Sequence, residues 1–263
     1  MFEYWETPRN YRNYPGGESL PDKVKVWRIM QKSDSREQPY STVCRSWGFD
    51  DSPDAEALTP GYNTAKENGA VGVGRHGNFL YWGFSGPPSK FTEAGSRFFL
   101  NCICYIAKFN GKLPLVRRES GHRFEPVRLA MARSYISDED FFKGVFQPDL
   151  DEKYKGDWKG LMRQYEQNIE FIYRDNRMYK IDAELKDLGL SSNRTLATLE
   201  SLIALLRDNS KSGIAAGLLK RYTLESFEKP EQWEAWLKEN KDRIYFSDIG
   251  GYKFRVIPKG YLD

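Results

Sequence analysis

A chain of 263 residues and 30.6 kDa has room for one large domain or two modest ones with a real core. Aromatic residues reach 15% against a mean hydropathy of −0.69, so burial rests heavily on Trp, Tyr and Phe, and a disordered chain is excluded. The net charge is only +3, with basic and acidic residues interleaved, as in Asp151-Glu152-Lys153 and Lys238-Glu239-Asn240-Lys241-Asp242, which argues against nucleic acid or an acidic membrane as partner.

Residues 1–22 are aromatic, Arg-rich and punctuated by Gly16 and Gly17, and read as an extended aromatic arm. Its Tyr4, Trp5, Tyr11, Arg12 and Tyr14 are candidate partner-binding residues, because interface cores favour aromatics with Arg. Packing on the arm's own chain is the alternative. Val24–Ile29 largely alternates apolar and polar residues, the period of a half-buried strand. A polar loop, Ser33–Gln38, leads to a second candidate strand over Ser41–Phe49. The stretch from Asp50 to Gly61 reads as a long connection rich in turn residues.

Residues 70–74 and 78–84 predict a hairpin turning at Gly77 and Asn78. A helix follows, with Thr92 as N-cap, Glu93 in the first turn and Asn110-Gly111 as the stop. Phe98, Phe99, Cys102, Ile103, Ile106 and Phe109 make it apolar over more than one face, so cover is expected on several sides. After Pro114 the pattern turns helical, with helices predicted over 137–146, 158–175, 193–207, 212–222 and 230–240. A terminal hairpin over Ile244–Val256 turns at Asp248-Ile249-Gly250-Gly251.

There are three cysteines, an odd count that excludes a fully paired disulfide framework. Cys102 and Cys104, two apart on a helix, point about 200° apart, so they neither pair nor share a metal and read as buried free thiols. No apolar run has the length of a transmembrane helix, and the first residues lack the basic-then-apolar order of a signal peptide. Met1 is not taken as the natural start. A secreted or periplasmic location is expected if the chain derives from a longer precursor, and the compartment is otherwise left open.

The stretch from Val71 to Gly111 carries Gly74, Arg75, Gly77, Trp82, Thr92, Gly95, Phe98, Asn101 and Ile103 in one pattern. It resembles the closing strand–hairpin–helix of class I glutamine amidotransferase-like domains, including the ThuA-like branch. Further matches at Arg221-Tyr222-Thr223, Trp233, Trp236 and Tyr245–Tyr252 make the chain similar to the C-terminal part of large uncharacterised bacterial proteins with such a domain. The resemblance implies a partial flavodoxin-like α/β sheet with a flanking helix over 23–113, followed over 114–263 by a mainly helical region with a terminal β-hairpin. It also implies that the N-terminal half of the parent domain is missing, and with it the nucleophile elbow. Cys44 lacks the flanking elbow glycines, and Cys102 and Cys104 are mid-helix, so amidotransferase chemistry is not expected.

Arg75 and His76 are candidate ligands for an anion, against a plain solvent-exposed turn. Gly72, Gly74 and Gly77 fall in a strand and its turn, which argues against a phosphate loop. Asp50, Asp51 and Asp54 suit turns and caps better than Ca²⁺, because Pro53 interrupts them and no suitably spaced Glu follows. Tyr81, Trp82 and Phe84, or Trp233 and Trp236, read as core aromatics with glycan or protein stacking as the alternative. The candidate ligand set is therefore Arg75, His76, Asp51, Asp54 and Trp82, with no metal and no cofactor. The expected function is a non-catalytic binding or assembly module that meets a protein partner or the missing N-terminal domain. The alternative is a hydrolase of carbohydrate-related type.

Overall fold

The computed structural model describes residues 2–14, 16–32, 41–49, 52–119, 121–124 and 144–261. They divide into two compact units, the first holding the described residues up to Leu115 and the second those from Val116 on. Helices and small sheets mix, and every strand pair among the described residues is antiparallel. None of the described helices is long and apolar enough to cross a membrane.

In the first unit the arm is not all extended. Its start forms β1 (Phe2–Glu6), which pairs with β2 (Lys23–Trp27) so that Phe2 lies opposite Trp27 and Glu6 opposite Lys23. Between them the chain winds through a 3₁₀ turn, Arg9–Asn13, that buries Tyr11. A second sheet has the order β3 (Ala55–Pro60), β4 (Val71–His76), β5 (Phe79–Trp82). The expected β4–β5 hairpin forms, with Gly77 at φ 55°, a conformation that costs a glycine little.

β3 lies inside the stretch read as a connection, while Ser41–Phe49 contributes only isolated bridges, Ser41 to Phe84 and Cys44 to Val71. The reason is local. Ala55–Pro60 has little β-branched character and ends in Pro60, which a sheet tolerates on an edge strand such as this one. The polar loop read over Ser33–Gln38, with Asp50 and Asp51, lies outside the described residues.

Helix α1 (Glu93–Ala107) starts as expected. Thr92 Oγ1 accepts the Gly95 N–H at 2.9 Å and donates to the Arg28 carbonyl at 2.8 Å, which ties the helix to the end of β2. A Cβ on Gly95 would stand 2.2 Å from the Ile29 carbonyl oxygen, so only glycine allows this approach. Phe91, Phe98 and Phe99 surround Trp82 on the inner side of α1. The outer side is less covered than its composition suggests. Leu100 is 60% and Ile103 46% exposed, and Cys104 is exposed, whereas Cys102 is buried as expected.

The second unit holds α2 (Pro148–Lys153), α3 (Trp158–Gln167), the hairpin β6 (Ile172–Asp175) and β7 (Met178–Ile181), then α4 (Ala183–Asp187), α5 (Leu196–Leu205), α6 (Ser212–Tyr222) and α7 (Pro230–Asn240). It ends on the expected hairpin of β8 (Ile244–Ser247) and β9 (Lys253–Val256). The helix predicted over 158–175 stops at Gln167, and a 3₁₀ turn and β6 take the rest. Ile169, Phe171 and Ile172 continue the apolar spacing, but β6 is claimed by β7 across the Asn176–Arg177 turn. Of the helix predicted over 137–146, residues 137–143 lie outside the described chain, Gly144 and Val145 form a turn, and Phe146 bridges to Tyr179.

A buried polar chain ties this unit together. Arg123 donates to the Ile169 carbonyl at 2.9 Å and to Asn193 Oδ1. Asn193 Nδ2 donates to the Ile172 carbonyl and the Tyr222 hydroxyl. Tyr222 in turn donates to Asp182 Oδ2 at 2.6 Å, and Arg221 reaches the same oxygen at 2.6 Å. Asp182 also caps α4, its Oδ1 accepting the Leu185 N–H.

Candidate functional site

The first unit holds a cleft of about 830 Å³ between the β1–β2 ribbon and the turn that follows β3. Trp5 from the arm and Tyr62 from that turn meet edge to face, with ring centroids 4.9 Å apart, and Tyr11 lies 6.1 Å from Tyr62. Hydrogen bonds fix these rings. The Tyr62 hydroxyl donates to the Glu6 carbonyl at 3.0 Å, and the Tyr11 hydroxyl accepts the Asn63 N–H at 3.2 Å.

Arg28 closes the wall behind Trp5. Its guanidinium sits 4.7 Å from the indole centroid and grips Glu3 through two hydrogen bonds, of 2.7 and 3.2 Å. The indole N–H donates to the same carboxylate at 2.9 Å. Hydrogen bonds from Arg28 and then Trp5 hold the Glu3 carboxyl below its ordinary range. Gln31, Asn63 and Asn68 add amide groups to the lining, and Trp27 and Phe84 extend its aromatic share. Gln31 Nε2 donates to the Phe91 carbonyl and Asn63 Nδ2 to the Ser41 carbonyl, so both amides are held in place.

The residues singled out from sequence fall elsewhere in the unit. Arg75 and His76, adjacent on β4, separate. Arg75 is buried, donates to Glu56 Oε1 at 2.6 Å and to the Gly77 carbonyl at 3.1 Å, and stacks 3.9 Å over Phe109. Tyr105 donates to the other Glu56 oxygen at 2.5 Å. His76 instead approaches Asp54, Nε2 to Oδ1 at 3.5 Å.

Asp54 is buried and well supplied with donors, accepting Ser52 Oγ–H at 2.6 Å and the Leu115 N–H at 2.8 Å. Burial alone pushes its carboxyl up, but hydrogen bonds from His76, Ser52 and Leu115 outweigh that and hold it well below the usual carboxylate range. Trp82 sits half-buried among Phe84, Phe91, Phe98 and Phe99. Asp51 lies outside the described residues.

Of the arm residues, Trp5 and Tyr11 line the cleft. Tyr14 accepts a hydrogen bond from Arg45, Arg12 binds the Leu20 carbonyl and Asp22, and Tyr4 points to solvent. Tyr62, Arg28, Asn63 and Gln31 escaped sequence reasoning. A Tyr-Asn-Thr run after Pro60-Gly61 looks like any turn until the β1–β2 ribbon is placed against it.

Cys44 and Cys102 are poorly suited to nucleophilic work. Burial pushes both Cys44 and Cys102 above the ordinary thiol range, which disfavours the thiolate. Comparison of the chain with known protein families, curated proteins and solved structures finds no match.

Proposed function

We propose that the chain is a non-catalytic binding module whose first unit takes a glycan in the Trp5–Tyr62 cleft. One observation carries the reading: an open recess combines clamped aromatic rings with fixed amide and guanidinium groups. Sugar rings present apolar C–H faces that pack on aromatic faces, and a rim of hydroxyls that pair with amides. A rigid aromatic wall loses little side-chain freedom on binding, which favours affinity.

The titratable groups of the first unit support binding over turnover. Asp54 is held as an anion by three donors, and the two shifted thiols are held as neutral SH groups. A general acid requires the opposite tuning of Asp54, and a thiolate nucleophile the opposite tuning of Cys44 and Cys102. A second reading, assembly with a protein partner, is favoured by Leu100 and Ile103, exposed on the outer side of α1.

The test is calorimetric titration of the full chain with soluble hexasaccharides of glucose, xylose, mannose and N-acetylglucosamine. At least one is expected to bind, and Trp5→Ala to weaken it about tenfold, the loss of one ring-packing contact. Phe79→Ala, on an exposed residue outside the cleft, leaves affinity unchanged. Absence of binding across the panel sinks the glycan reading, and release of shorter saccharides favours the hydrolase instead.

A further inference from the structure

Helix α1 turns its phenylalanines inward and carries a second apolar stripe on its outer side. Leu100, Ile103, Cys104 and Ala107 follow the i, i+3, i+4, i+7 spacing of one helix face, and all four are exposed. A single exposed leucine needs no explanation, but a stripe of this length on a fifteen-residue helix marks a docking surface.

The ends of the stripe say what docks there. Glu93 stands in the first turn of α1 and Lys108 at its C-cap, on the flank of the stripe, and both are exposed. Glu93 pairs with Arg97 one turn along, with both side chains more than three-quarters exposed. Lys108 Nζ lies 5.7 Å from the Tyr105 ring. An exposed pair within one helix is weak, so Glu93 keeps the capacity to meet a further cation.

A face of this pattern complements itself when a copy runs antiparallel to it. Placing Leu100 on the copy's Ile103 sets Ser96 on its Ala107 and brings Glu93 beside its Lys108. Two-fold symmetry repeats each contact. The small side chains of Ser96 and Ala107 let the helices approach closely, and each helix N-terminus faces the copy's C-terminus, where the dipoles attract. A parallel pair would set Glu93 against Glu93 instead.

We infer that two copies of the chain dimerise by pairing their α1 helices antiparallel through the Leu100–Ile103 stripe. A foreign protein would have to supply both charges in reversed order, whereas a second copy carries them already. One helix per copy makes a small interface, so the dimer is a reversible one. The inference develops the assembly reading of α1 and draws nothing from the cleft.

The experiment is sedimentation velocity of the full chain at low ionic strength, over about 5–500 µM. A concentration-dependent equilibrium between monomer and dimer is expected. Leu100→Glu sets two carboxylates in the apolar centre and raises the dissociation constant at least about 100-fold. Its melting temperature stays near that of the wild type, because the site is exposed in the monomer. Phe79→Glu, equally exposed but on β5, dimerises as wild type. Glu93→Lys weakens the dimer about fivefold, and adding Lys108→Glu restores it to within about twofold, because each new lysine meets the copy's new glutamate. A wild-type chain that stays monomeric assigns the stripe to some other partner and overturns the inference. A dimer unmoved by Leu100→Glu, or one that the double reversal fails to restore, overturns it too. Hexasaccharide titration of the monomeric Leu100→Glu chain reads the cleft separately, so the two readings fail independently.

Discussion

Asp182→Ala is expected to destabilise the second unit by about 3 kcal/mol, the largest effect of any single polar truncation in it. The carboxylate is fully buried and serves three donors at once: Tyr222, Arg221 and the Leu185 N–H at the start of α4. Truncation leaves the half-buried Arg221 with only Glu184, at 2.7 Å, and leaves the buried Tyr222 hydroxyl with Asn193 alone. It also removes a helix cap. Asp182→Asn keeps one acceptor oxygen, enough for the cap or for Tyr222 but not for both, and loses the charge, so about 1–2 kcal/mol is expected. Urea unfolding followed by hydrogen exchange on α6 peptides measures both. An alanine variant within about 0.5 kcal/mol of wild type contradicts the network as described.

Asp54→Ala is expected to cost the first unit about 2–3 kcal/mol, because the buried Ser52 hydroxyl and the Leu115 N–H lose their shared acceptor. The effect depends on pH with a defined sign. The folded carboxyl sits below its ordinary value, so above about pH 4 both states are ionised and the stabilisation is fully present. As pH falls from there through the folded value, the unfolded chain takes up the proton first and the stabilisation drains away. The gap between wild type and Asp54→Asn therefore narrows on acidification. Thermal melts from pH 6 to pH 2 read it directly, and a gap that stays constant or widens rules out the proposed role.

Much of the local structure is legible in the sequence, and the reasons for success and failure are physical. Thr92 with Glu93, and Pro230 ahead of two tryptophans, mark helix starts because caps and first-turn residues act locally. Gly77 marks the hairpin because positive φ selects it. By contrast β1, β3, β6 and β7 owe their state to a partner strand. Ala55–Pro60 has no strong preference of its own, and β6 carries a helical spacing that pairing with β7 overrides.

The candidate site divides the same way. Composition flags the arm's Trp5 and Tyr11 as aromatics in need of a surface. That this surface is the Tyr62 turn emerges only when β1 folds back on β2, 17 or more residues later in the chain from Glu6 to Lys23. Arg75 and His76 attract notice as neighbours in sequence, but the alternation of a strand sends neighbours to opposite faces. One then pairs with Glu56 and the other with Asp54.

The most direct test of the glycan-binding claim follows the tryptophan indole N–H resonances of the full chain while a bound hexasaccharide is added. Trp5 is expected to shift with the titration while Trp82, enclosed by phenylalanines, and the buried Trp233 stay in place, and the saccharide is recovered at its original length. A Trp5 resonance that does not move, or a saccharide that emerges shortened, contradicts a non-catalytic glycan module built on this cleft.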